Sequence, residues 1–535
     1  MKRIVKTGLF ILFLTLSTVV FPQSDLGFIN GVLLDSGTKE PVVFATIRVL
    51  GWSLGVISNN DGSFQVPTDF KLKGDTLVIS SMGYETKKVD FADLMENNIN
   101  QIFIKPYAFQ LSETVVVAKK KRKRLDKAKV ERSLSAKQII RYAIERIPDN
   151  YNKNPFELVG YYRDYQLREK EYINLNEALI RVLDSGFEVK GYSSLQFALY
   201  NYESNLNFEQ DSLAAKPYDY KAKDKYIPNT QFTNKIVPNE LMLLFNHDAI
   251  RHNNELSYSF VDIFVKDFIR KHDFFTYFLT NYGDKEVYKI KFAKSLSNFE
   301  VKGDIYIDAD TYAIRKLDYA VYQQSLDEAS ASIPEVDLLY EILVEYKEHE
   351  GHMYLNYISF HNKFKLVRPP KFYLKDIIRK LDSRGMLIVL NKPAKNWYDL
   401  KPKDIILYYG ESRLKVNGLR QVDATTYKLE LSKKTKSQRK KGRQFFRQLG
   451  TKKEEPIIFD INNMIDFEGN LLGEENSELL NQFREFFTQR IISVENKEDV
   501  TTSYVDKTIS LNHPEQLKTK MKADEEFWMN TPLKN

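Results

Sequence analysis

Period-two alternation of apolar residues, cut by turns carrying Gly and Asp, predicts a mainly β chain. It should hold an N-terminal β-sandwich followed by a larger curved antiparallel sheet domain with a few helices. Three observations carry this. Residues 27–117 contain short alternating runs such as Gly31–Asp35, Pro41–Val49 and Thr76–Ser80. Residues 156–365 contain longer runs that pair as successive hairpins. The chain also has 32 Tyr and 35 Phe, types that suit the half-buried surface of a sheet.

With 535 residues, the chain exceeds what one core organises, and roughly two to four domains are expected. Hydrophobic content of 43% and charged content of 28% are those of ordinary globular protein. Cysteine is absent, which excludes disulfides, Cys-ligated zinc, a thiol nucleophile and lipid attachment through a cysteine. Residues 1–23 are expected to be a signal peptide. Lys2, Arg3 and Lys6 charge its start, and the apolar run from Gly8 to Phe21 is too short to cross a bilayer as a helix. An uncleaved anchor is the other reading of the same run. The protein is thus expected to be exported, to the periplasm or to an outer-membrane-associated position. Removing this segment lowers the formal charge from +7 to +4. Residues 119–129 alone carry eight basic groups against one acid, so the rest of the mature chain is slightly acidic.

The first domain is placed at 24–106. Val32 and Leu34, then Val43, Ala45, Ile47 and Val49, alternate as half-buried strands do. Asp35-Ser-Gly37 forms a turn, and Glu40-Pro41 opens the next strand where proline is tolerated. Asn60-Asp61-Gly62 signals a hairpin, because these residues accept positive φ. Phe64 and Val66, Leu77 and Ile79, and Ile102 and Ile104 continue the pattern, giving the strand density of a sandwich.

Gly31-Val-x-x-Asp35, Pro41–Ile47, Asn60-Asp-Gly-Ser-Phe64 and Gly83-Tyr84 together resemble the carboxypeptidase regulatory-like domain. The resemblance implies a transthyretin-like (prealbumin-like) sandwich that serves as an accessory or interaction module. It implies no peptidase activity, since in the carboxypeptidases of that name a separate domain holds the zinc. Glu113–Ala118 also resembles the segment that follows this domain in TonB-dependent outer-membrane receptors. That would make the chain an accessory module of such a system, with no receptor barrel expected after it.

Residues 107–134 read as a basic linker. Its Lys119, Lys120, Lys121, Arg122, Lys123 and Arg124 are either a solvated connection or a contact for anionic headgroups, lipopolysaccharide or peptidoglycan. A nucleic-acid partner is not expected for an exported chain. The next domain, 135–385, opens with Ser135 as an N-cap. Ile139, Ile140, Ala143, Ile144 and Ile147 follow at helical spacing, with Pro148 ending the run. Leu158–Arg163, Tyr172–Glu177, Val287–Phe292 and Leu355–Phe360 alternate as strands, and Gly303–Asp308 with Ala313–Leu317 forms a hairpin. The pattern Gly303-x-Ile-Tyr-Ile-Asp-x-x-Thr-Tyr-Ala-Ile314 resembles the hairpin of lipoprotein-carrier-like half-barrels, which implies a sheet that cups an acyl chain. Residues 240–281 read as a mixed insertion.

The region 386–535 is less regular. Asp404–Tyr409 and Tyr427–Leu431 read as short strands. A second basic cluster runs from Lys433 to Arg447 and includes Arg439, Lys440, Lys441 and Arg443. It is a further candidate for anionic-surface contact, with Phe445 and Phe446 directed either to a core or to a membrane interface. Leu479, Leu480, Phe483, Phe486, Phe487 and Ile491 suggest a helix over 475–491, and Phe527-Trp528 a final docked helix.

Candidate chemistry is sparse. His349-Glu-Gly-His352 lacks the two-residue gap of a His-Glu-x-x-His zinc motif. As strand residues three apart, its histidines should point to opposite faces. His247 and His252, five apart, share no helix face, and His361 reads as a surface residue. Glu177 and Asp184 read as satisfied carboxylates rather than general acids. No P-loop, Gly-x-Gly-x-x-Gly or Gly-x-Ser-x-Gly occurs. No catalytic, metal or cofactor site is therefore assigned. The expected function is a non-catalytic interaction or scaffold protein of the envelope, binding a protein, glycan or lipid partner, with peripheral membrane contact. A periplasmic carrier of lipid or another hydrophobic ligand, and an undetected hydrolase, stand as alternatives. Oligomeric state is left open.

Overall fold

A computed structural model describes residues 27–533 apart from 53–54, 108–133, 190–193, 220, 229–238, 249, 251–267, 284, 296–298, 325–335, 381–384, 449–455, 494–503 and 512–526. The expected signal peptide and Lys119–Arg124 lie outside the described residues. The chain is mainly β, with an N-terminal sandwich followed by a large sheet and few helices, as its sequence pattern predicts.

The sandwich has two sheets. Strand β1 (Phe28–Asp35) lies between β4 (Ser63–Pro67) and β7 (Ile99–Ile104), antiparallel to the first and parallel to the second. The other sheet orders β3 (Gly55–Ile57), β2 (Thr46–Val49), β5 (Thr76–Ser80) and β6 (Lys87–Asp90). Ile29, Leu33, Ile47, Phe64, Leu77 and Ile102 fill the space between them. Gly31 is needed because the Phe64 ring crosses it; a Cβ there would lie 2.3 Å from that ring. Two details depart from the pattern. Phe44 has φ 58°, rare for a bulky residue, and this breaks the alternation so that Val43 is exposed. Asn60-Asp-Gly62 is not a hairpin turn. It carries the chain from β3 in one sheet to β4 in the other, with Gly62 at φ 76°.

The large sheet runs β10 (Leu195–Ser204), β9 (Glu171–Asp184), β8 (Phe156–Arg168), β25 (Asn476–Ser493), β17 (His352–Arg368), β16 (Val336–His349), β15 (Ile314–Gln324), β14 (Phe299–Asp308), β13 (Lys285–Ser295), β12 (Asp273–Tyr282). Short β11 (Lys225–Tyr226) pairs with β17. Two meanders are thus joined by β25, which corrects the helix expected over 475–491. Strands β8 and β25 are buried on both faces in their central parts. A strand covered on both sides need not alternate, and its apolar spacing can mimic a helix.

One face of the sheet carries Leu158, Tyr162, Ile180, Ile305, Ile342 and Phe360 in the main core. Helices α1 (Ala136–Glu145), α2 (Ile147–Asn150), α3 (Glu240–Phe245) and α4 (Phe268–Lys271) contribute to that core. Ser135 and Gln138 form a capping box on α1. Pro148 opens α2 rather than ending a longer run, which suits a proline in a first turn. A cavity bounded by Tyr151, Phe156, Phe245, Asp248, Tyr346 and Leu355 has a volume of about 40 Å³, too small for an acyl chain.

The sandwich packs on the opposite face. Phe44 stacks on Tyr357 with centroids 4.8 Å apart, Ile57 joins Tyr357 and Phe487, and Met82 meets Val287 and Tyr306. Beside these contacts is a buried polar node. The Arg163 guanidinium donates to Glu485 at 2.5 Å and to Asn59 Oδ1 at 2.5 Å. The Tyr165 hydroxyl donates to Glu485 at 2.7 Å and accepts from Asn60. The turn at 59–60 therefore fastens the sandwich to the sheet. Phe527 and Trp528 are buried, but in a segment without regular secondary structure and not in the helix expected there.

By compactness the chain divides into two units. The first holds the chain up to Ala215, Ile227–Lys363 and the chain from Leu480; the second holds Lys216–Tyr226 and Phe364–Leu479. Within the second, β18 (Leu374–Lys380), β19 (Gly385–Leu390), β23 (Thr426–Leu431) and β22 (Val416–Gln421) form one sheet. Strands β21 (Ser412–Arg413), β20 (Ile405–Tyr409) and β24 (Ile457–Ile461) form another. Helix α5 (Lys436–Gln448) packs on the core they share.

Candidate anionic-contact surface

Helix α5 is set by its ends and by one anchor. Thr435 Oγ1 accepts from the Gln438 amide at 3.2 Å, and Gln438 Oε1 accepts from the Thr435 amide at 3.2 Å, a reciprocal cap of the first turn. Phe445 is fully buried, edge-on to Tyr409 with centroids 5.2 Å apart. Phe446 packs beside it, half-buried. Both phenylalanines therefore serve the core of the second unit and neither is free for a membrane interface.

With Phe445 turned inward, roughly 100° per residue gathers Lys436, Arg439, Lys440, Arg443 and Arg447 on the outward side. All five are exposed. Lys433 and Lys434 precede them, also exposed, and Arg439 donates to the Lys433 carbonyl at 2.8 Å. No carboxylate among the described residues pairs with any of the five. The first turn contains no acid, although the helix dipole favours one there. Like charges three and four apart repel by a few tenths of a kcal/mol per pair. The ridge is therefore held together by its cap and anchor against its own electrostatics. Its field attracts anions within about a Debye length.

Lys441 lies off this ridge. It lines a notch of about 10 Å³ with Arg413, Lys415, Ser432, Gln438 and Gly442. Of the sequence candidates, Arg439, Lys440 and Arg443 share the ridge and Lys441 the notch. Arg413 and Lys415 escaped sequence reasoning. Each is a single cation in an ordinary strand region, and only the folding of β21 and β22 beside α5 brings them to Lys441.

The remaining described candidates are held by other groups of the fold. Glu177 accepts from Tyr161 at 2.6 Å, Asn205 at 2.8 Å and Thr531 at 2.8 Å. Asp184 accepts from the Gly186 amide at 2.8 Å. His247 is buried, bonded to the Leu243 carbonyl at 2.6 Å and stacked on Phe360. His361 is not a free surface residue: it stacks on Phe483 at 4.0 Å and bonds Asn481. His252 lies outside the described residues. His349 and His352 face each other across a two-residue turn, Glu350 at φ 49° and Gly351 at φ 81°. They share one sheet face, because the turn reverses the chain where strand alternation would have separated them. Among the described residues no group of three His, Cys, Asp or Glu is arranged to hold a metal ion.

A different carboxylate, Asp164, lies on the core face beside Arg484. Burial pushes it up to about 6, helped by the charge of Glu240 and opposed by Asn176. Arg484 is buried, paired with Glu240 and donating to Asn362 at 2.7 Å. This network ties α3 to the sheet.

In the sandwich, the residues that carry the family pattern converge. Asp35 accepts from the Gly37 and Thr38 amides at 2.7 and 2.9 Å and from the Tyr84 hydroxyl at 3.0 Å. The Thr38 amide above all holds Asp35 below its ordinary value, while burial and Asp35 raise Tyr84 to about 12. These motif residues fasten loops. Residues 29–117 match the family model of the CarboxypepD_reg-like domain. The regulatory-like domain covers about a sixth of the chain. No curated protein and no solved structure matches.

Proposed function

We propose that this is an exported, non-catalytic interaction protein of the cell envelope that adsorbs to an anionic membrane surface through α5. The observation that carries this reading is the outward ridge of Lys436, Arg439, Lys440, Arg443 and Arg447, exposed and without acidic partners among the described residues. That side of the helix has no apolar residue to insert, so the contact is electrostatic and sits on the headgroups. A Lys or Arg beside an anionic membrane contributes about 1 kcal/mol. Five give about 5 kcal/mol, or three to four orders of magnitude at low salt.

Sedimentation with vesicles tests it. The mature protein should bind vesicles containing an anionic lipid, lose binding as salt rises, and ignore zwitterionic vesicles. The variant with all five cations changed to Gln should stay in solution. Equal binding by that variant, or equal binding to zwitterionic vesicles, overturns the reading. Salt-sensitive binding to a soluble phosphorylated glycan, with none to vesicles, replaces the membrane by a glycan. Fractionation without detergent that leaves the protein in the cytoplasm removes export from the proposal.

A further inference from the structure

The two edge strands β3 and β4 border one side of the regulatory-like sandwich, and Trp528 and Asn530 of the chain's own segment occupy it, while Phe527 and Met529 pack on Val159, Tyr161 and Leu179 of the large sheet. Edge strands carry backbone groups without a strand partner, which water or another segment can satisfy. Here side chains do so. The Gln65 amide of β4 donates to Asn530 Oδ1 at 2.9 Å, and the Gln65 carbonyl accepts from the Trp528 indole at 3.2 Å. Asn530 Nδ2 donates to the Ile57 carbonyl at the end of β3, at 2.7 Å, and to Asn59 Oδ1 at 3.1 Å. Trp528 joins the sandwich core, edge-on to Phe70 with centroids 4.8 Å apart. Gln489 donates to the Trp528 carbonyl at 2.8 Å.

The segment forms no helix or strand of its own. It is recognised by an indole in an apolar hole and by an amide whose oxygen and nitrogen are both read, two residues apart. That is how a domain reads an extended peptide, with buried side chains giving affinity and paired polar groups giving selectivity. We infer that the slot between β3 and β4 is a peptide-recognition site for an extended segment carrying Trp and, two residues on, Asn. The tail occupies it in cis, at the high effective concentration of a tethered ligand. The slot stands whether or not α5 meets a membrane, because none of its residues is on that helix.

The test uses a labelled synthetic peptide of residues 525–535 and two proteins, a chain ending at residue 526 and a full-length chain carrying W528A with N530D. Both should bind the peptide, and the intact protein should not. In the peptide, Trp528→Ala should weaken binding roughly a hundredfold, from the lost buried ring. Asn530→Asp should weaken it roughly tenfold or more, from the two lost donors. The inference is overturned if either variant unfolds cooperatively yet fails to bind the peptide, or if the Ala and Asp peptides bind as well as the parent. It also falls if the intact protein binds equally, or if neither variant folds, which would make the tail an integral part of the sandwich.

Discussion

The buried node around Arg163 and the exposed ridge of α5 spend charge in opposite ways. Arg163 and Glu485 are each almost fully buried, and their charges meet each other, Tyr165 and Asn59 within 2.7 Å. On α5, five cations face solvent with no acid beside them among the described residues. A charge withdrawn from water must be matched inside the fold. A charge left in water can remain unmatched, and its field then acts outward. The first arrangement holds two β layers together; the second is available to a partner.

The largest expected effect comes from breaking the node. Arg163→Met leaves Glu485 buried and uncompensated, which should cost about 3–5 kcal/mol. Changing Arg163→Met and Glu485→Leu together should recover much of that loss, because the desolvation cost goes with the charges. Denaturant unfolding of the single and double variants checks the coupling. A loss in the double variant equal to the summed losses of Arg163→Met alone and Glu485→Leu alone would show that the pair is not a node. The same change should also loosen the turn at Asn59 and Asn60, seen as faster hydrogen exchange in β3 and β4.

His272 sharpens the buried half of the comparison, since it is buried and makes no ion pair among the described residues. Its ring lies among Phe268, Phe274, Phe292 and Tyr319, with Nδ1 on the Phe268 carbonyl at 2.9 Å. That carbonyl assigns the proton to Nδ1 of a neutral ring. Burial first, with Lys294 adding to it, lowers its value to about 4. Above the unfolded value of about 6.5 neither state is protonated, and stability is unaffected. As pH falls from there towards 4 the unfolded chain takes up a proton that the folded chain refuses. Stability should drop by about 3 kcal/mol over that window. His272→Phe should lose this part of the acid sensitivity. An unchanged pH profile would reject the assignment.

These two examples show how much was legible in the sequence. The sandwich was readable because β1 and β5 keep one face only half-buried, so that Leu33 and Leu77 alternate with half-buried neighbours. The family pattern was readable for a similar local reason: Asp35, Gly62 and Gly83 act within turns, although the Tyr84–Asp35 hydrogen bond joins distant stretches. Strand β25 was misread because Phe486 and Phe487 are both buried, one on each face of the sheet. The node could not be read at all, since Asn59, Arg163 and Glu485 come from three distant stretches. Of the surface, the basic run of α5 was visible directly, but its partition into an outward ridge and the inward Phe445 needed the core beneath it.

A smaller effect concerns how the ridge is supported. Thr435→Ala removes one half of the α5 cap and should cost about 1 kcal/mol, lowering the helix without changing any of its charges. Vesicle binding should weaken only as far as the helix frays. If binding by Thr435→Ala falls as far as in the five-Gln variant, helical order rather than charge is what the surface reads.

The smallest effect, and the one of opposite sign, is on stability when the ridge itself is neutralised. Changing Lys436, Arg439, Lys440, Arg443 and Arg447 to Gln removes like-charge repulsion at spacings of three and four and relieves the positive end of the helix dipole. Helix propensity hardly changes, because Gln ranks with Lys and Arg. Stability should therefore stay level or rise by less than about 1 kcal/mol, with the gain shrinking as salt screens the repulsion. The Arg163 node must behave differently, because its loss of stability should persist at high salt where water and ions cannot reach it. Unfolding both variants at low and high salt separates the two. If the five-Gln variant were destabilised as much as Arg163→Met, the ridge would be part of the fold's support, and its availability to an anionic partner would have to be given up.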